Sequence, residues 1–314
     1  MIGPRSVVAP GKLLVTGAYA VLEGAPAVVI AVDRHARAEI GKKPERVSAE
    51  VAEALGDKAM FCDSSALYEG EKKLGLGSSA AVLVASLGAD WIARGNALDD
   101  DGRSRIFFRA RDVHARVQNG GSGFDLAAST YGGCIRYTLH GGKPWMTSLE
   151  LPFTLEWHAY FSGESARTSD LRAQVDAFKA KDRAAYDAVI KKLGDASELS
   201  ANSFLEGSGR AIVDSARLFA EALEQLAEEA DAPIVPLAFR RLSTVATAQN
   251  AVFYPSGAGG GDIGLYLGTT PPTDEFEQRA AQLGMKKLDL KLDTQGVRRQ
   301  IAALAPSGAP SEPN

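Results

Sequence analysis

The run Gly75-Leu76-Gly77-Ser78-Ser79-Ala80 opens straight into "AVLVASLGADWIARG", which is apolar on nearly every side. A loop this short of side chains turns tightly, and an all-round apolar helix must be buried on most faces. The stretch after the loop is therefore read as a helix buried on most faces. Ser86, Asp90 and Arg94 recur at i, i+4 and i+8 as its polar positions, and Gly95 with Asn96 ends it. The loop formally fits a dinucleotide fingerprint, with Asp99–Asp101 at about the expected distance of roughly 20 residues. The stretch in front, "YEGEKK", is too charged for the buried strand that fingerprint needs. A Walker A loop needs Gly-x-x-x-x-Gly-Lys-Ser/Thr, and no stretch supplies it. What remains is an anion site at a helix start, or a glycine turn capped by Ser78. On this loop alone the two weigh equally.

A second glycine loop, "PSGAGGGD", runs from Pro255 to Asp262, and "APGK" stands near the start. Four glycines among the six residues Gly257–Asp262 lose conformational entropy on folding that a plain turn has no reason to lose. Two such loops point to a polyanionic ligand whose charge the backbone wraps, with Lys72 and Lys73 adding positive charge.

The surroundings are those of an ordinary globular chain. Its 314 residues suggest two domains; the net charge of -4 offers no basic face for nucleic acid. Cys62 and Cys134 cannot make a disulfide framework, the start "MIGPRSVVAPGK" lacks a signal-peptide core, and no apolar run spans a bilayer. A cytoplasmic protein with no membrane partner is expected. "KLLVTG" and "PAVVIAVD" read as strands, residues 41–73 as mixed, and "RSRIFFRARDVHARV" as a helix. Long helices are expected over 169–193 and 209–230, another over 236–249, and then strand, glycine loop and strand. The pattern resets between Pro144 and Pro152. Domains are therefore expected at 1–150 and 151–304, with the Pro/Ser-rich residues 305–314 a disordered tail.

In order and separation, "APGKLLVTGAYAVLEG", "LGLGSSAA" and "PSGAGGGD" resemble the three signature motifs of the GHMP kinase superfamily. "GSGFDLAASTYGG" and "FSGESARTSDL" are similar to segments of its phosphomevalonate kinase branch. The resemblance implies an α/β (α+β) fold of two domains with the active site in the cleft between them. It also implies ATP with Mg2+, and a phosphorylated mevalonate as acceptor. On this resemblance Lys12 and Asp125 are the catalytic pair. Lys73, Gly75, Leu76, Gly77, Ser78, Ser79 and Ala80 hold the nucleotide, and Ser79 meets the metal. Gly123, Ser165, Arg167, Thr168, Ser256, Gly257, Ala258 and Gly259 hold the acceptor. His114 stands where mevalonate kinases carry a magnesium-binding glutamate. The chain departs from many members in Gly17-Ala18-Tyr19, in Tyr254 ahead of the third motif, and in Arg167. The residues leave open a mevalonate kinase, a decarboxylase of the same superfamily, a ligand-binding member without catalysis, and a homodimer.

Overall fold

The computed structural model describes residues 6–118, 120–164 and 168–300. The first half gives strands β1 (Ser6–Thr16), β2 (Ala27–Glu39), β3 (Cys62–Asp63), β4 (Tyr68–Glu69), β5 (Lys72–Lys73), β6 (Cys134–His140) and β7 (Lys143–Leu149). Between them lie helices α1 (Ala49–Leu55), α2 (Ser78–Ala93), α3 (Asp100–Gln118) and α4 (Phe124–Tyr131). The second half gives β8 (Glu156–Phe161), α5 (Thr168–Lys181), α6 (Arg183–Leu205), α7 (Gly209–Glu229) and α8 (Leu237–Ala248). It ends with β9 (Val252–Pro255), β10 (Ile263–Gly268), α9 (Asp274–Gln282), β11 (Lys286–Leu288) and β12 (Arg298–Gln300).

Two antiparallel sheets organise most of these elements, and β4 and β5 pair as a separate two-stranded ribbon. The larger runs β12-β1-β2-β6-β7 with β3 on β2, and the smaller runs β11-β8-β10-β9. Helix α2 packs on β1 and β2 and touches α1, α3 and α4, which is where an apolar cylinder belongs. Its polar positions are buried as well: Ser86 and Asp90 are enclosed, and Asp90 is paired with Arg94 at 2.8 Å. The smaller sheet is backed by α7, α8 and a cluster of Tyr160, Phe253, Tyr266 and Phe276 in edge-to-face contact.

The helix expected over 169–193 is instead two helices. Asp182 interrupts it, and its side chain caps α6 by accepting from the Ala185 N–H at 2.9 Å. The mixed stretch 41–73 holds α1, capped by Ser48. A strand also leaves the second half: β12 pairs antiparallel with β1, so the larger sheet contains both ends of the described chain.

Candidate active site

β1 carries the first motif through a bulge between Pro10 and Gly11. Gly11 is there because the second loop lies against it; a Cβ would stand 2.7 Å from the Leu76 carbonyl oxygen. That carbonyl accepts the Lys12 N–H at 2.8 Å, while the Lys12 ammonium donates to the Gly75 carbonyl at 3.0 Å. The Lys12 side chain is only 8% exposed. Burial lowers its pKa, opposed by the charges of Asp125, from the segment "GSGFDLAASTYGG", and of Asp262, from the third motif. Asp262 presses against the second motif directly, since a Cβ on Gly75 (φ +74°) would meet its Cβ at 2.5 Å. The three motifs thus meet around one buried ammonium.

α2 begins at Ser78 with Gly77 (φ 73°) as its N-cap and no side-chain cap, so Ser78 does not cap the loop. α4 begins the same way from Gly123 (φ 82°), and Asp125 in its first turn accepts from the Leu126 N–H at 2.9 Å. The first N–H groups of α2 are left for something other than a capping side chain. Ser79 is already engaged: its hydroxyl donates to Glu50 of α1. The other Glu50 oxygen accepts from Gln118 at 3.4 Å and lies 2.8 Å from His114 Nδ1, both on α3. Glu50 is 3% exposed. Burial alone would raise its pKa, but the bonds from His114 and Ser79 bring it below the ordinary value, and the same contact with Glu50 raises that of His114.

The third motif is tied to the first through hydroxyls. Ser256 Oγ accepts the Leu14 N–H and donates to the Leu14 carbonyl, both at 2.9 Å. Tyr254 donates to the Val15 carbonyl and Tyr19 to that of Ala258, both at 2.6 Å. Tyr254, one of the departures noted in the sequence, and Tyr19 therefore pin one motif to the other.

Two cavities flank this junction. One, of about 230 Å³, is lined by Arg46, Tyr68, Lys73, Ser78 and Ser79. The other, of about 580 Å³, is lined by Tyr19, His114, Gly123, Asp125, Arg172, Gly257 and Ala258. Lys73, Ser78 and Ser79 are thus brought to the smaller cavity, and Gly123, Asp125, Gly257 and Ala258 to the larger. Leu76 and Ala80 are core side chains that contribute only backbone, and Ser256 is spent on β1. Gly259 is fixed by packing, since a Cβ there would lie 2.2 Å from the Ile234 carbonyl oxygen. Ser165 and Arg167 lie outside the described residues, and Thr168 opens α5. Sequence reasoning passed over Glu50 and Arg172. An acid in the first turn of a short helix reads as a partner of the helix dipole, and Arg172 as one more charge on an exposed helix.

No profile of a known protein family matches the chain. It is 28% identical to the phosphomevalonate kinase of Streptomyces sp. (strain CL190), over 84% of this chain and 90% of that protein. It is 27% identical to the mevalonate kinase of Archaeoglobus fulgidus, over 84% of this chain and 93% of that one. The solved structure of Streptococcus pneumoniae phosphomevalonate kinase in complex with phosphomevalonate and AMPPNP matches with a TM-score of 0.78 at 20% identity, covering 92% of this chain and 99% of that one. The fold is that of the GHMP kinases, and over most of its length the chain is similar to phosphomevalonate and mevalonate kinases.

Proposed function

We propose that the protein transfers the γ-phosphoryl group of ATP to the phosphate of (R)-5-phosphomevalonate, forming the diphosphate, in the cytoplasm. The observation that carries this is the buried Lys12 ammonium between Asp125 and Asp262, with a cavity on either side of the motif junction. Phosphoryl transfer asks mainly for alignment and charge neutralisation, which this arrangement offers. The smaller cavity takes the nucleotide, its phosphates lying against the free N–H groups at the start of α2 with Lys73 beside them. The larger takes the acceptor, and Lys12 stabilises the charge on the group in transit. Similarity to phosphomevalonate kinase over most of both chains supports this acceptor.

Among the described residues no group of three or more His, Cys, Asp or Glu side chains forms a metal cage. The hydroxyl of Ser79 and the carboxylate of Glu50 are nonetheless two hard oxygen donors beside the phosphate loop, which suits Mg2+ held mainly by the nucleotide. When bound, the ion neutralises charge on the phosphates. Asp125 needs no strength as a base for this acceptor, because a phosphate with a second pKa of about 6 is already largely ionised near neutral pH. Its place beside Lys12 fits it to orient the ammonium.

ADP release measured with mevalonate, phosphomevalonate and diphosphomevalonate, with carbon dioxide followed in parallel, tests the reading. Phosphomevalonate should have the highest kcat/KM and no carbon dioxide should form. A preference for mevalonate, or release of carbon dioxide from diphosphomevalonate, would replace this assignment by another member of the superfamily.

A further inference from the structure

Resting on that reading, we propose that Arg172 is the specificity-determining residue of the larger cavity, its guanidinium holding an anionic group of the acceptor. Arg172 lies in the second turn of α5 and lines the cavity with Ser169, Ala173 and Asp176. These positions, i, i+3, i+4 and i+7, form one helix face turned toward Asp125 on α4. The guanidinium is half-buried and has no hydrogen-bond or ion-pair partner among the described residues. Asp176, one turn on and lining the same cavity, makes no ion pair with it.

Among the described residues, the other cations near the site are committed elsewhere. Lys72 donates to the Gly163 carbonyl at 2.6 Å, Arg111 to the Gly142 carbonyl at 2.9 Å, and Lys73 lines the nucleotide cavity. His114 does line this cavity, but its Nδ1 is held by Glu50. Lys12 sits behind Gly257, its ammonium 4.0 Å from where a Cβ on that glycine would be, and it serves the group being transferred. An acceptor with a carboxylate at one end and a phosphate at the other brings more negative charge than Lys12 can match. A half-buried, unpaired arginine is the side chain shaped to receive it, since its fork meets a carboxylate or a phosphate through two parallel bonds.

The test is steady-state kinetics of wild type, Arg172→Gln, Arg172→Lys and Asp176→Asn, with phosphomevalonate and with mevalonate (as substrate or competitive inhibitor). Thermal melts confirm that each variant is folded. Arg172→Gln should raise the phosphomevalonate KM by about ten- to a hundredfold and leave the ATP KM within about twofold. Arg172→Lys should fall between it and wild type. Asp176→Asn should lower the KM, a change in the opposite direction that loss of packing would not produce. If the mevalonate constant is unmoved, the group held is the phosphate; if it rises in parallel, the group is the carboxylate. Either result supports the assignment. An unchanged KM in folded Arg172→Gln, with wild type active on phosphomevalonate, overturns it. A wild type that prefers mevalonate overturns the underlying function instead, and that failure is read from the wild-type constants alone.

Discussion

Enclosing the Lys12 ammonium works against the folded state, because burial lowers its pKa below 10.5 even with Asp125 and Asp262 opposing. The desolvation penalty is present in full below the lowered folded value. It is relieved as pH rises through the lowered folded value toward the unfolded one. Lys12→Met keeps the stem and removes the charge. It should leave the melting temperature at pH 7 unchanged or higher while kcat falls at least about a hundredfold. A variant that melts lower and still turns over would make Lys12 a structural ion partner. Ser79 and Glu50 give the second residue-scale prediction. Chelation of divalent ions should abolish turnover, and Ser79→Ala should lower kcat with little change in the phosphomevalonate KM. Glu50→Gln should weaken Mn2+ binding to the AMPPNP complex, read by electron paramagnetic resonance, by about 10- to 100-fold. Unaltered Mn2+ affinity in both variants would reduce the pair to a structural hydrogen bond between α1 and α2. Ser79 was legible in the sequence because it belongs to a motif. Glu50 was not, because its partners Ser79 and His114 lie 29 and 64 residues away and no local pattern joins them.

At the scale of elements, the glycine loops announced themselves because each needs backbone that other residues resist. The sequence showed that the second motif bends tightly; it did not show what the bend packs against. Gly75 combines a φ of +74° with the near contact to Asp262, whereas Gly70, in the turn between β4 and β5, has φ +58° and nothing within 4 Å of an added Cβ. Alanine in the left-handed region costs about 1–2 kcal/mol at either position. Gly70→Ala should show that loss alone. Gly75→Ala should lose more and should also lose turnover, since relieving the clash moves either the phosphate loop or the acid facing Lys12. Equal melting temperatures for the two variants would mean that the loops yield without strain. The helix expected over 169–193 failed for a related reason. Its apolar spacing continues past Asp182, but the aspartate gains more by capping a new helix than by continuing the old one.

At the scale of the whole molecule, the order of the three motifs made the fold readable, while the return of the chain to the first sheet was hidden. β12 is the three residues Arg298–Gln300, with no apolar alternation to mark a strand. Its place is set by a strap before it. Asp293, with a side chain 3% exposed, lies 2.6 Å from His35 Nε2 on β2 and pairs with Arg298 at 2.8 Å. It also accepts from the N–H groups of Gln295 and Gly296, both at 2.9 Å. The Val297 N–H reaches the Thr130 carbonyl at 3.1 Å, so the strap closes over the last turn of α4, the helix whose first turn carries Asp125. Burial would raise the Asp293 pKa, but His35, Arg298 and the two N–H groups together hold it well below the carboxylate range. Its contribution to stability is therefore complete above the unfolded value of about 3.9 and drains away as pH falls toward the folded one. Asp293→Asn removes the charge and leaves Arg298 without its counter-ion, which should cost about 2–4 kcal/mol at pH 7. The loss relative to wild type should shrink as pH is lowered below about 4. Chemical denaturation of both proteins across that range checks this, with the phosphomevalonate KM measured alongside. The KM should stay close to wild type, because the strap holds the far end of α4 and lines neither of the two cavities beside the motif junction. A difference in stability that does not narrow in acid would mean that the strap is held by packing and backbone bonds, with the Asp293 charge contributing nothing.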